Sequence, residues 1–197
     1  MLGLDFGILD LDIPETPDPA EPAEDYVRRV AREKAGAGLL RVIGQADAVV
    51  LGADTEVVLD GRIYGKPVDA ADAAEMLRSL SGRTHVVISA VSVVSAGREA
   101  HAVSISDVEF APIAEDEIAA YLATGEWDGK AGAYAIQGMA QAFVRRLSGS
   151  QSGVMGLPLH ETAALLRGFG LFPPVPPQAH RPTHTAKPAV AAAEATR

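Results

Sequence analysis

The sequence predicts an α/β domain built on a mixed, twisted sheet with flanking helices. Three observations carry that expectation. Runs rich in β-branched residues or alternating every second residue are interspersed with runs at helical spacing. Hairpin signals lie between the helices, which argues against a doubly wound parallel sheet. Hydrophobic residues make up 48% of 197, enough for one domain with a proper core.

The first segment, residues 2–13, reads as a strand. Leu4, Phe6 and Ile8 alternate, and Leu9, Leu11 and Ile13 alternate on the opposite phase, so a bulge or burial on both sides is expected. The stretch "PETPDPAEPAED" is an acidic, Pro-rich connection. A helix follows from about Pro22 to Ala37 with an apolar stripe of Ala23, Tyr26, Val27, Val30, Ala31 and Ala35, and Lys34 falls on that stripe. The Asp60-Gly61 pair makes residues 48–65 a β-hairpin. Asp69 caps a helix running through Leu80, with Gly82 at its stop. "THVVISAVSVVSAG" and "AHAVSISDVEFAP" are two long strands joined by a short turn. "AEDEIAAYLATG" is a helix ending at Gly125, "AQAFVRRLSG" a strand, and "LPLHETAALLRGFG" the last helix. Residues 173–197, rich in Pro and Ala without periodicity, are expected to be a disordered tail behind a domain spanning 1–172.

Composition excludes several classes. The formal net charge is −9 with no block of Lys or Arg, which argues against a nucleic-acid binder. A small anionic substrate remains open if a few cations share one cleft. No apolar run reaches membrane-spanning length, and the acidic start "MLGLDFGILDLD" lacks a signal peptide's basic region. Cysteine is absent, so disulfides and thiolate metal sites are excluded, and a cytoplasmic protein is expected.

Four positions could carry chemistry. Asp54 lies between two apolar β-branched runs, where an ionised carboxylate is costly unless paired or bound to a cation; the plainer reading is a strand-end acid facing water. Lys34, on an apolar stripe, either extends to solvent or meets a phosphate at a cleft. Lys66, bracketed by Gly65 and Pro67, belongs to no P-loop or Rossmann turn and is otherwise a surface-loop lysine. "GEWDGKAGAYAIQG" is a small-residue loop that lets a ligand approach backbone closely, and its Gln137 suits the edge of a nucleobase. His85 and His160 have no metal-type spacing and read as structural or surface residues.

"LGADT", then "GKP", "LSGRTH", "KAGAYAIQG" and "GVMGLPL", in that order, resemble the Maf family of nucleoside triphosphate pyrophosphatases over about residues 2–171. The resemblance implies an α/β fold related to the inosine-triphosphatase architecture, with two lobes around a nucleotide cleft. It implies hydrolysis of a nucleoside triphosphate to monophosphate and pyrophosphate with a divalent cation, Mg²⁺ or Mn²⁺, and suggests a homodimer. Asp54 matches the family's catalytic acid, Lys34 and Lys66 its phosphate-binding lysines, and Glu15 an acid near the metal, which Asp54 would also hold. Thr55 and Gln137 match positions that separate subfamilies, and the pair resembles the one acting on dTTP and UTP. Thr55 adjoins Asp54, so a local bend is expected to turn both toward the cleft.

Two departures accompany the resemblance. Family members begin with a strand and a Ser-x-Ser-Pro-Arg-Arg loop opening a helix, whereas "MLGLDFG" corresponds to that helix's end. This implies a weak or inactive nucleotide-binding paralogue with a regulatory role as the alternative, or a start assigned too late; the retained Glu15, Lys34, Asp54, Lys66 and Gln137 favour the latter. In "GSQSGVMGLP", Gln151 and Gly153 replace a more typical aromatic residue and Asn.

Overall fold

Asp60 and Gly61 both take positive φ, 52° and 78°, the pairing that a tight hairpin needs to match strand twist. The turn joins β1 (Val50–Leu59) to β2 (Arg62–Tyr64), with Leu59 opposite Arg62. The computed structural model describes residues 3–18, 20–45 and 47–171. Around the hairpin lie α1 (Ala23–Arg41), α2 (Ala70–Leu80), β3 (Thr84–Ser95), β4 (Arg98–Phe110), α3 (Glu115–Ala123), β5 (Val144–Ser148), α4 (Gln151–Val154) and α5 (Leu159–Gly168). The five strands form one sheet in the order β2-β1-β3-β4-β5. The expected α/β sheet with flanking helices is present, and every pairing among the described strands is antiparallel. The proposed tail, 173–197, lies outside the described residues.

The two sheet faces are covered differently. On one, α1 buries Tyr26, Val27, Val30 and Ala31 against Ile88 and Ala90. On the other, α2 and α3 pack with the 130–143 segment, gathering Leu77, Leu80, Val87, Phe110, Tyr121 and Tyr134. Helices α4 and α5 contact β3 and β4. Asp69 caps α2 by accepting a hydrogen bond from the Asp72 amide (2.8 Å), and Ala73, Met76, Leu77 and Leu80 face inward.

Gly52 sets the spacing between α1 and β1. A Cβ there would collide with the carbonyl oxygen of Ala31 and come 2.6 Å from the amide nitrogen of Ala35. Its absence lets the helix backbone lie directly on the strand.

The structure departs from the sequence expectations at four places. Residues 3–18 form no strand: Phe6 and Ile8 are 82% and 88% exposed. The alternation is present, but no ladder pairs it; Leu9 and Leu11 instead rest beside Gly38 and Val50 at the seam of α1 and β1. Helix α1 continues to Arg41, past Gly36 and Gly38, because packing outweighs glycine's low helix propensity. Residues Met139–Phe143 form a 3₁₀ turn, so β5 begins only at Val144. Helix α4 was not expected; Ser150 caps it by accepting from the Gly153 amide (3.0 Å).

Candidate active site

Strand β2 pairs only with Val57, Val58 and Leu59, so from Val50 to Glu56 the outer edge of β1 carries no paired strand among the described residues. A cavity of about 590 Å³ opens along that edge. Its lining includes Glu15, Lys34, Asp54, Thr55, Glu56, Lys66 and Gln137. All six residues singled out from the sequence therefore share one cavity.

Asp54 sits in mid-strand opposite Ala90 and is 8% exposed, so the strand-end reading is overturned. Lys34 crosses from α1, with Nζ 2.8 Å from Asp54 Oδ1 and 2.5 Å from Glu15 Oε1. The second Glu15 oxygen lies 2.5 Å from Lys66 Nζ. Asp54, Lys34, Glu15 and Lys66 thus form a line of alternating charge. Lys34 does not run out to solvent as a lone lysine on an apolar stripe would.

Burial shapes the ionisation. Asp54 is pushed above the usual carboxylate range by burial, which the Lys34 ammonium only partly offsets. Burial acts to lower Lys34, yet its bonds to Asp54 and Glu15 outweigh this and hold it above the ordinary lysine value. Burial acts to raise Glu15, but the two lysines hold it below the ordinary range. Glu56, which sequence reasoning missed, is pushed up to about 8 by burial first and then by the charges of Asp54 and Glu15. The signal for it was the strand period: Asp54 and Glu56 are two apart, so they share a face.

Thr55 reaches the cavity without a bend. The β1–β3 register runs unbroken from Val50↔Val94 to Val58↔Val86. Asp54 and Thr55 point to opposite faces, and the unpaired edge lets the cavity wrap around the strand to meet both. The expected bend is therefore corrected: β2 ends early enough to make it unnecessary. Thr55 Oγ1 lies 2.8 Å from Ser89 Oγ. Gln137 is exposed on the turn after Ile136. Glu126 steadies that turn, its Oε2 accepting from the Met139 amide at 2.7 Å.

The two histidines stand apart from the cavity lining. His85 is buried, with Nε2 2.9 Å from the Tyr134 hydroxyl, and His160 is exposed. Among the described residues no three His, Asp or Glu side chains gather closely enough to enclose a metal ion. Two acceptors are nevertheless open: Asp54 Oδ2 and Glu56 Oε2 are buried without a hydrogen-bond partner. Such a pair fits a cation of the magnesium type, which takes one or two carboxylates and completes its shell with water and phosphate. Among the described residues no helix is long and apolar enough to cross a membrane.

The chain is similar to known proteins over most of its length. The family model described as Maf-like protein matches residues 1–169. A nucleoside triphosphate pyrophosphatase of Xylella fastidiosa (strain M23) is 57% identical over 169 residues, covering 85% of this chain and 89% of that protein. A dTTP/UTP pyrophosphatase of Xanthomonas euvesicatoria pv. vesicatoria is 56% identical over 171 residues, covering 86% and 90%. One from Xanthomonas oryzae pv. oryzae (strain MAFF 311018), with the same printed name, is 55% identical over 171 residues, again covering 86% and 90%.

Proposed function

This chain belongs to the Maf-like protein family, and we propose that it hydrolyses dTTP and UTP to the monophosphate and pyrophosphate. The observation that carries the reading is the charge line Asp54–Lys34–Glu15–Lys66, set in one cavity with Thr55 and Gln137 on its wall.

Water attacks the α-phosphorus, the bond from that phosphorus to the bridging oxygen breaks, and pyrophosphate leaves. Catalysis of this kind is mainly positioning and electrostatic stabilisation. Asp54 is fixed in the middle of a paired strand, which suits it to orient the water and accept its proton. Lys34 and Lys66 neutralise the phosphates as point charges. A divalent cation, Mg²⁺ or Mn²⁺, would be held by Asp54 with Glu56 as the second open carboxylate, and Glu15 would join once phosphates take its lysines. When bound, it would supply Lewis-acid polarisation of phosphate oxygens and a more acidic water. Thr55 and Gln137 would read the pyrimidine. The substrate is a free nucleotide, with neither nucleic acid nor membrane as partner, and the protein acts in the cytoplasm, as a homodimer.

Product analysis with added Mg²⁺ or Mn²⁺ tests this. Pyrophosphate and UMP should appear in equal amounts from UTP. Orthophosphate as the first product would rule out the mechanism, and fastest turnover of a purine triphosphate would rule out the specificity.

A further inference from the structure

Three lysines line the cavity, and two of them are already paired: Lys34 with Asp54 and Glu15, and Lys66 with Glu15. The third is Lys130, exposed on the small-residue loop that follows α3. Among the described residues no carboxylate makes an ion pair with it. Glu126, on the same loop, is engaged by the Met139 amide instead. Lys130 is thus a cation of the cavity wall that holds no anion of its own.

Its loop is held where it stands. Ala133 takes a φ of 60°, a conformation that a residue with a side chain adopts only where its surroundings impose it. Those surroundings are close-packed. A Cβ on Gly132 would come 2.9 Å from Val57 Cγ2. The Ala133 amide donates to the Lys130 carbonyl (3.0 Å), and the Ala135 amide donates to the buried Tyr121 hydroxyl (3.0 Å). The Gly132 amide donates to the carbonyl of Gly65 (3.1 Å), the residue before Lys66. That bond sets the Lys130 loop beside the Lys66 loop, at the end of the charge line away from Asp54.

We propose that Lys130 is a third phosphate-binding residue, and that it takes the β and γ phosphates, the part that departs as pyrophosphate. The proposal rests on the nucleotide reading of the cavity and adds to it a residue which that reading leaves without a role. The order follows from the site of attack. With Asp54 aimed at the α-phosphorus, the triphosphate runs along Lys34 and Lys66, and the loop tied to Lys66 meets its far end. Lys34 and Lys66 must let go of Glu15 before they bond a phosphate, which sets part of their gain aside. Lys130 lets go of water alone. Salt screens an exposed ammonium beyond about 10 Å, so Lys130 acts on contact and not at a distance. Cleavage moves negative charge toward the leaving pyrophosphate, and a cation fixed there favours that step over the bound triphosphate.

The test is calorimetric binding of inorganic pyrophosphate and of UMP to the full chain and its variants, in buffer holding Mg²⁺. Hydrolysis is not read, so failure of the pyrophosphatase reading, scored separately by UTP turnover, is distinguishable from failure here. Lys130→Gln should weaken pyrophosphate at least about tenfold, the worth of one charge-assisted bond. UMP, which carries only the α phosphate, should weaken by less than about twofold. Lys130→Arg keeps the charge and should hold pyrophosphate within about threefold of the unmodified chain. The melting temperature should stay put in both variants, since no ion pair is broken. A structural role alone would weaken both ligands equally in Lys130→Gln. That result overturns the proposal, as does an unchanged affinity for pyrophosphate, or no pyrophosphate binding in the unmodified chain. Where UMP binds too weakly to be read, rescue decides: a loss in Lys130→Arg as large as in Lys130→Gln overturns it.

Discussion

The carbonyl oxygen of Ala31 occupies the place that a side chain on Gly52 would need. Helix α1 therefore touches β1 backbone to backbone, and Lys34, one turn along, reaches Asp54 with Nζ 2.8 Å from Oδ1. The reach of the lysine depends on a missing methyl group.

Gly52→Ala should push α1 off the strand and part Lys34 from Asp54. Overpacking of this kind costs about 1–3 kcal/mol. Thermal melting should show the loss, and UTP turnover should fall further than the melting temperature alone explains. An unchanged melting temperature would mean that the helix backbone yields freely.

Asp54→Asn keeps the shape of the side chain and removes its charge. Lys34 retains Glu15 as a partner, so the melting temperature should change little. Pyrophosphate release should drop by at least about 10²-fold. A folded Asn variant with full activity would reduce Asp54 to a structural acid.

The two lysines should separate under the same substitution. Lys66 is 56% exposed and its ion pair is solvated, so Lys66→Gln should alter stability by less than about 1 kcal/mol. Lys34 faces the buried Asp54, and Lys34→Gln leaves that carboxylate without its cation, a loss of up to about 3 kcal/mol. Both should weaken UTP binding. Chemical denaturation of the two variants side by side checks the contrast, and equal stabilities would contradict it.

Glu56 gives the stability a slope on pH. Its folded value, pushed up to about 8, lies above the unfolded carboxyl value of about 4.3. The folded form therefore holds the proton more tightly, and stability falls as pH rises through that window, by about 1.4 kcal/mol for each unit crossed at most. Glu56→Gln should flatten the slope and melt higher than the unmodified chain at pH 8. Identical pH profiles would place the carboxylate in water.

His85 acts with the opposite sign. Burial lowers its folded value to about 4, beneath the unfolded value of about 6.5. The unfolded chain takes the proton first, so stability is full above about pH 6.5 and is lost as pH falls toward 4, by up to about 3 kcal/mol. His85→Gln should remove that acid limb. Persistence of the limb would assign it to other groups.

Local chemistry made much of the fold legible. Asp60-Gly61 specifies a turn, Asp69 specifies a cap, and helical spacing located the buried faces of α1 and α2. Pairing is not local. The phased leucines of residues 3–18 look like a strand until one asks which strand would bond to them, and the described strands supply none. The candidate site divides in the same way. Lys34 and Asp54 were each visible as a charge in an apolar run, and the resemblance brought them together. Glu56 shares the face of Asp54 by simple alternation and could have been found. Ser89 could not, because its meeting with Thr55 follows from the β1–β3 register, 34 residues apart in the chain.

The line of charges from Asp54 to Lys66 has a consequence for how the cleft meets its ligand. Two ammonium groups and two carboxylates cancel, so the cleft carries its own counter-ions. It exerts little pull on a distant anion and gains nothing from attracting stray ones. A polyphosphate gains the lysines only by evicting Glu15, and its hold is the difference between two anions competing for the same cations. Arrival is thus an exchange rather than a capture. A departing ligand returns the lysines to a partner already waiting within the chain.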